Sequence, residues 1–309
     1  MRIVFMGTPE FAVPVLSALH GAGHEIALVI SQPDRPKGRG RKLEPTPVKQ
    51  KALELGLNVF QPDKIRKPEA VEAVAAAKPD LAVVAAFGQI LPKAVLDIPT
   101  RGCLNTHASL LPAYRGAAPI NWAIINGEER TGVTIMQMDV GMDTGDMLLK
   151  AEEPILPDDT AGSLTGRLSK VGAALIVKAI EELEAGRLTP VKQDPDKATY
   201  APLLKKEMGL VDWSRPAPEI ERLIRGLDPW PGAYTSRGTD VLKLWKATTS
   251  DIKADGEPGS IVDAGREGIF VNTGSGVLVI KELQGPGGRR MSAPEYLAGH
   301  KISKGERLG

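Results

Sequence analysis

Short, wholly apolar runs separated by helical patterns constrain the first half of this chain more than any other feature. Asp80-Leu-Ala-Val-Val-Ala-Ala86 is the clearest of them, with six consecutive apolar residues and no polar face. Such a run reads as a strand covered on both sides. Residues 2–6, 25–31 and 58–60 read as further strands, and residues 11–21, 47–55 and 68–76 between them carry helical patterns. Buried strands joined by helices predict an α/β fold, a Rossmann-like doubly wound parallel sheet. Ligands of such sheets gather at the carboxyl ends of strands, where strand order reverses. Residues 6–8, 87–89 and 105–107 fall at such ends. Gly7-Thr-Pro-Glu-Phe-Ala12 stands where a dinucleotide fold carries Gly-x-Gly-x-x-Gly, and its second and third glycines are absent. Close approach of a pyrophosphate is unsupported, which excludes a nicotinamide dehydrogenase.

The texture changes later in the chain. Residues 159–184 predict a long amphipathic helix, with Leu164, Leu168, Val171, Leu175, Val177 and Ile180 covering the sheet and Gly186 ending it. Residues 189–202 are rich in proline and polar groups, lack periodicity and read as a linker. One helical pattern at 217–226 then precedes short β-like runs at 242–247, 268–272 and 277–283. Short strands with turn signals between them predict a small β-barrel. A length of 309 residues suits two domains. The expected division is a catalytic domain over residues 1–188, a linker over 189–207 and a barrel over 208–309.

Three groups carry candidate chemistry. Asn105 and His107 lie two apart after the apolar Gly102-Cys-Leu, so on a strand their side chains share a face. Asp143 sits between Gly141 and Gly145, after the strand-like residues 133–138. If the two strands are neighbours, an amide, an imidazole and a carboxylate converge at one sheet edge. That set suits acyl or formyl transfer, where donors stabilise an oxyanion and a third group handles a proton. The sole cysteine, Cys103, lies in an apolar run and reads as a buried, inert thiol.

The same residues carry a family resemblance. Asn-x-His, Ser109-Leu-Leu-Pro-Ala-Tyr-Arg-Gly116 and Asp139-Val-Gly-Met-Asp-Thr-Gly-Asp146 resemble the signature of the 10-formyltetrahydrofolate-dependent formyltransferases. The likeness extends to residues 5–12, 32–43 and 116–120, Val211-Asp-Trp213 and Asp228-Pro-Trp-Pro231, along essentially the whole chain. It implies a catalytic trio of Asn105, His107 and Asp143. It also implies a folate pocket formed by Phe87, Gly88, Gln89, Ile90 and Leu91, by Ser109, Leu110, Leu111 and Pro112, and by Asp139. The donor it implies is 10-formyltetrahydrofolate, and the second domain it implies is an OB-like barrel over residues 208–309 that helps seat a tRNA. No metal is expected, because Asp139, Asp143 and Asp146 lack the ligand spacing of an EF-hand loop.

Charge bears on the acceptor. Net charge is only +1, yet residues 34–51 hold seven basic groups against two acidic ones, with two glycines and three prolines. This reads as a mobile, extended loop suited to phosphate contact. The resemblance implies that it approaches the acceptor stem of initiator methionyl-tRNA through Arg39, Arg41 and Lys42. The stretch 210–309 is nearly neutral, with 14 basic and 13 acidic residues. No apolar run is long enough to cross a bilayer, and the expectation is a cytoplasmic monomer with no membrane partner. An acceptor such as an amino sugar nucleotide or glycinamide ribonucleotide, hydrolysis of the donor, and a non-catalytic RNA- or folate-binding module remain as alternatives.

Overall fold

The computed structural model describes residues 1–37, 42–253 and 255–309. Two compact units emerge. One comprises Met1–Pro119, Arg130–Pro154 and Thr165–Pro202, and the other Ile120–Glu129, Ile155–Leu164 and Leu203–Gly309.

The first half of the chain runs β1 (Arg2–Gly7), α1 (Ala12–Gly21), β2 (Glu25–Ile30), β3 (Arg35–Lys37), β4 (Lys42–Glu44), α2 (Pro47–Glu54), β5 (Val59–Phe60), α3 (Pro68–Ala76) and β6 (Leu81–Ala85). It continues through α4 (Lys93–Leu96), β7 (Cys103–His107), β8 (Arg115–Gly116), α5 (Pro119–Ile125), β9 (Arg130–Gln137), β10 (Met147–Pro154), α6 (Ala161–Glu184) and β11 (Tyr200–Ala201). The main sheet has the order β10-β9-β7-β6-β1-β2-β5. β5, β2, β1, β6 and β7 are parallel, and strand order reverses at β1 and β6 as a doubly wound sheet requires. β9 and β10 depart from the parallel expectation, both pairing antiparallel. Between β9 and β10 the short connection over residues 138–146 lets the chain turn back directly, whereas a parallel return needs a crossover helix; β9 reaches its antiparallel place beside β7 through a longer connection that contains α5.

Strands β1 and β6 are buried almost end to end, which is why they read so plainly from sequence. Within α6 the covering face is rotated slightly from the expected one. Leu164, Leu168, Ile176 and Ile180 are fully buried, while Leu175 and Val177 are only half-buried. Two further expectations need correcting. The flanks of the basic loop pair as a hairpin, Arg35 opposite Glu44 and Lys37 opposite Lys42, instead of running as an extended loop. Residues 189–202, expected as a linker, belong to the first unit: Val191 bridges Met147, and β11 pairs with β8. Hydrogen-bonding to fixed strands supplies order there without any hydrophobic period.

The second unit adds α7 (Ala217–Leu227), β12 (Ala233–Arg237), β13 (Asp240–Ser250), β14 (Ile261–Gly265), β15 (Gly268–Asn272), β16 (Val277–Gln284), β17 (Met291–Ser292) and α8 (Ala293–Gly299). Its antiparallel sheet has the order β12-β13-β16-β15-β14. The last residues join its two edges, since Gly305 N donates to Ile261 O at 2.8 Å and Gly309 N to Ser236 O at 3.0 Å. Trp213, Ile220, Ile224, Leu244, Ile269 and Ile280 are among the residues that fill the core. Segment Ile120–Glu129 joins this unit because α5 lies close to α7. A Cβ at Gly226 would stand 2.5 Å from Ile125 Cγ1 and 3.1 Å from Asn121 O, while Asn121 Nδ2 donates to Gly226 O at 2.8 Å.

Candidate active site

Neighbouring strands bring the three candidate groups together. Asn105 on β7 stands beside Val84 of β6 and opposite Met136 of β9, and His107 stands opposite Thr134. The intervening Thr106 faces the other way, towards α6. A Cβ at Gly172 would lie 2.7 Å from Thr106 Cγ2, so the helix can sit flat on that face only with glycine there. Asn105 and His107 are both buried, at 9% and 6% exposure.

Asp143 arrives by a different route from the sheet-edge convergence expected. Because β9 is antiparallel to β7, its chain leaves beside Cys103, with Met138 N donating to Cys103 O at 2.8 Å. The loop then folds back over the face of β7. A Cβ at Gly145 would come within 1.7 Å of Gln137 O, so this fold-back excludes any side chain at that position. Asp143 takes a left-handed backbone, φ +54°, a conformation costly for most residues and better tolerated by aspartate, and its surroundings hold it there.

Those surroundings place the carboxylate closely. Asn105 Nδ2 donates to Asp143 Oδ1 at 3.3 Å, and Gly116 N donates to Oδ2 at 2.9 Å. His107 Nδ1 lies 3.7 Å from Oδ1, within ion-pairing range but too far for a direct hydrogen bond. The other ring nitrogen, Nε2, lies 2.9 Å from Tyr114 O. A carbonyl can only accept, so Nε2 carries the hydrogen and Nδ1 is the nitrogen that exchanges a proton. That nitrogen faces a carboxylate.

A segment beyond α6 completes the arrangement, and sequence reading missed it. Gln193 Nε2 donates to Asp143 O at 2.7 Å and to Gly145 O at 2.8 Å. Its Oε1 accepts from Arg115 Nε at 3.0 Å and Nη2 at 2.8 Å. Thr199 Oγ1 accepts from Tyr114 N at 2.8 Å, steadying the residue whose carbonyl fixes the His107 tautomer. Arg115 was within reach of sequence reading as part of the Tyr-Arg-Gly motif. Gln193 lies in an aperiodic stretch and carries no signal of its own.

The residues expected to hold folate divide into two groups. Phe87 and Leu91 are buried in the core, and the Phe87 carbonyl accepts from Thr8 Oγ1 at 2.9 Å and Gln32 Nε2 at 3.0 Å. Gln89 Oε1 accepts from Ile65 N at 2.8 Å. Ser109 is fully buried, with Oγ donating to Ala113 O at 2.6 Å. Leu111 is also fully buried, its N donating to Thr134 Oγ1 at 3.1 Å and its carbonyl accepting from Lys150 Nζ. These five build the scaffold. Gly88 and Ile90 instead face solvent, as does Asp139, whose Oδ1 accepts from Thr144 Oγ1 at 2.7 Å. Leu110 is partly exposed, and Pro112 follows a cis peptide bond. Large apolar side chains also stand in solvent on the loops after β6 and β9: Ile90 is 80%, Val140 71% and Met142 57% exposed.

Arg39 and Arg41 lie outside the described residues, and Lys42 begins β4. The hairpin root is tied down by Asp34, which accepts from Gln61 Nε2 at 2.7 Å and Lys49 Nζ at 2.5 Å. Those bonds, that of Gln61 foremost, hold its carboxyl below the usual range. Cys103 is inert as expected: burial pushes its thiol up to about 12. Among the described residues, no group of three or more His, Cys, Asp or Glu side chains is arranged to hold a metal ion, and no helix is long and apolar enough to cross a membrane.

Known proteins resemble the chain throughout its length. The formyl transferase model matches residues 1–180, and that of the formyl transferase C-terminal domain matches residues 203–301. A Trichlorobacter lovleyi protein named methionyl-tRNA formyltransferase is 54% identical over 307 residues, covering 99% of this chain and 96% of the relative. A protein of the same name from Geobacter sulfurreducens is 53% identical over 309 residues, covering 100% and 97%. Among solved structures, HypX from Aquifex aeolicus in complex with tetrahydrofolic acid matches with TM-score 0.67 at 19% identity, over 99% of this chain and 50% of that one. WlaRD, a sugar 3N-formyl transferase, matches with TM-score 0.68 at 19% identity, over 91% and 97%. At these identities the two structures speak to the fold alone.

Proposed function

The chain belongs to the formyl transferase family, and from that premise we propose that it transfers the formyl group of 10-formyltetrahydrofolate to the α-amino group of methionyl initiator tRNA. The observation that carries this reading is full-length identity of about half to proteins named for that reaction, joined to the convergence of Asn105, His107 and Asp143. Glycinamide ribonucleotide and amino sugars are poorer acceptors by the same reasoning, since both units of the chain match across the whole length of the tRNA-directed relatives.

The neutral amine attacks the formyl carbon, and negative charge grows on the formyl oxygen. Asn105 uses one amide hydrogen on Asp143 and has a second to donate to that oxygen. His107 donates from Nδ1 when protonated, with Nε2 already committed to Tyr114 O. Asp143 balances the imidazolium and accepts the proton that the nitrogen nucleophile must lose. Breaking the bond between the formyl carbon and N10 then returns a proton to the departing nitrogen.

For the donor, Gly88 and Ile90 after β6, Leu110 after β7 and Asp139 after β9 form the contacting surface. Phe87, Gln89, Leu91, Ser109 and Leu111 hold those loops from beneath. Pro112 shapes the turn between the two groups. For the acceptor, Arg39 and Arg41, which fall between β3 and β4 in sequence, and Lys42 at the start of β4 meet the phosphates of the acceptor stem. The catalytic assignment is tested by single-turnover formyl transfer with His107→Ala and Asp143→Asn, alongside donor binding. Rates should fall by about 10²–10⁴-fold with donor affinity retained. Turnover near that of the parent in both variants rejects the assignment.

A further inference from the structure

We propose that Gln193 is a positioning residue for the reaction, holding Asp143 in its reactive placement through the backbone of the loop that carries it. This inference rests on the catalytic reading of Asp143 given above. The left-handed backbone of Asp143, φ +54°, is one that aspartate tolerates better than most residues but that still costs energy relative to ordinary conformations. Gln193 supports it from outside the loop. Both hydrogens of its amide go to carbonyls flanking Thr144, those of Asp143 at 2.7 Å and Gly145 at 2.8 Å. A single planar group thereby fixes the peptide plane that follows Asp143, one of the two that set the direction of its side chain, and pins the turn again at the plane that follows Gly145.

The amide cannot be flipped. Arg115 is a donor at every nitrogen, and its Nε and Nη2 both reach Gln193 Oε1, so the oxygen faces the guanidinium and the nitrogen faces the loop. Arg115 is itself buried, at 6% exposure, and its register is set by β8, where it pairs with Tyr200. The next residue, Gly116, donates its N–H to Asp143 Oδ2 at 2.9 Å. Two arms therefore reach Asp143 from one anchor: the Arg115–Gln193 pair grips its backbone, and Gly116 orients its carboxylate. The segment that reads as a linker is thus a wall of the reaction centre. Gln193 touches no reacting atom, so its effect should appear in the chemical step and not in substrate affinity.

Two substitutions separate this role from general support. Gln193→Glu keeps an oxygen acceptor for Arg115 but presents oxygens instead of N–H donors to the two carbonyls. Gln193→Met keeps the size and removes both interactions. In the full chain, the single-turnover rate at saturating substrates should fall tenfold or more in each variant. KM for charged tRNA and the dissociation constant for 10-formyltetrahydrofolate should stay within about twofold, because a positioning role acts on the transition state. Retention of donor affinity also certifies that a variant is folded. If Gln193→Glu reacts at the parent rate, the side chain serves only as an acceptor for Arg115 and the proposal fails. It fails too if either variant retains donor affinity and the parent rate while losing affinity for charged tRNA. Asp143→Asn run in parallel keeps the two readings apart: parent-like activity there removes the catalytic assignment itself, whereas loss there with full rates in both Gln193 variants removes only this proposal.

Discussion

His107 has one nitrogen free to move a proton, because Tyr114 O occupies the other. That restriction gives Asn105, His107 and Asp143 unequal weights. Asn105→Ala removes a donor to the developing oxyanion and should lower the transfer rate by about 10²–10³-fold, measured by single turnover with KM for the donor nearly unchanged. Cys103 illustrates the opposite case, a residue four positions from His107 in sequence with no part in the reaction. Its thiol rises from 9.0 in the exposed state to about 12 when buried. The folded chain then holds a proton that the unfolded chain releases, so this contribution to stability is complete below pH 9.0 and is lost as pH rises towards about 12. Cys103→Ala should retain full activity and show a shallower alkaline decline in denaturation midpoint than the parent. A thiol that alkylates readily in the native protein at pH 7, with loss of activity, would contradict this.

Among elements, α6 depends on one small residue to lie against β7. Gly172→Leu would drive a branched side chain into Thr106, whose neighbours in sequence are Asn105 and His107. Overpacking of this kind costs about 1–3 kcal/mol, so the melting temperature should fall by several degrees, and calorimetry reads it directly. An unchanged melting temperature would mean that the helix is not seated as described. The same elements show what sequence can reveal. Strands β1 and β6 are buried on both faces and their apolar runs disclose it, so the sheet and its switch point were legible. α3 is found at its expected limits for a related reason, a proline start and small apolar residues at helical spacing. The antiparallel β9–β10 pair was not legible, because direction is set by the length of the connection and not by residue pattern. α8 escaped notice although Ser292 and Glu295 form a reciprocal cap at its start, a signal that was present but short. In the site, motif resemblance pointed to the loops after β6, β7 and β9 but could not tell outward residues from inward ones. Leu110 and Leu111 are adjacent in one motif, yet only Leu111 is fully buried beside Met136 and Met147. Gln193 was invisible because its importance lies in two carbonyls far away in sequence, and backbone groups leave no trace in composition.

For the whole molecule, the chemistry requires both a folate donor and a large anionic acceptor, while the net charge of the chain is only +1. Attraction to RNA must therefore be local, and the place proposed for it is the basic stretch that includes β3 and β4. Replacing Arg39, Arg41 and Lys42 together with neutral residues should weaken binding of the charged tRNA. The dependence of log K on log salt should flatten by about two to three units, at about 0.7–0.9 for each phosphate no longer neutralised. An unchanged slope would place the phosphate-binding surface elsewhere. The second unit brings its own core and a sheet whose edges are joined by residues 305–309, and the stretch 210–309 within it is nearly neutral. The most direct test of the account is formyl transfer from 10-formyltetrahydrofolate to methionyl initiator tRNA, measured beside free methionine and a reaction lacking acceptor. Formylmethionyl-tRNA should form only with the charged tRNA, and its formation should collapse in the Asp143→Asn variant. Donor consumption of equal rate without any acceptor, or transfer undiminished in that variant, would contradict it.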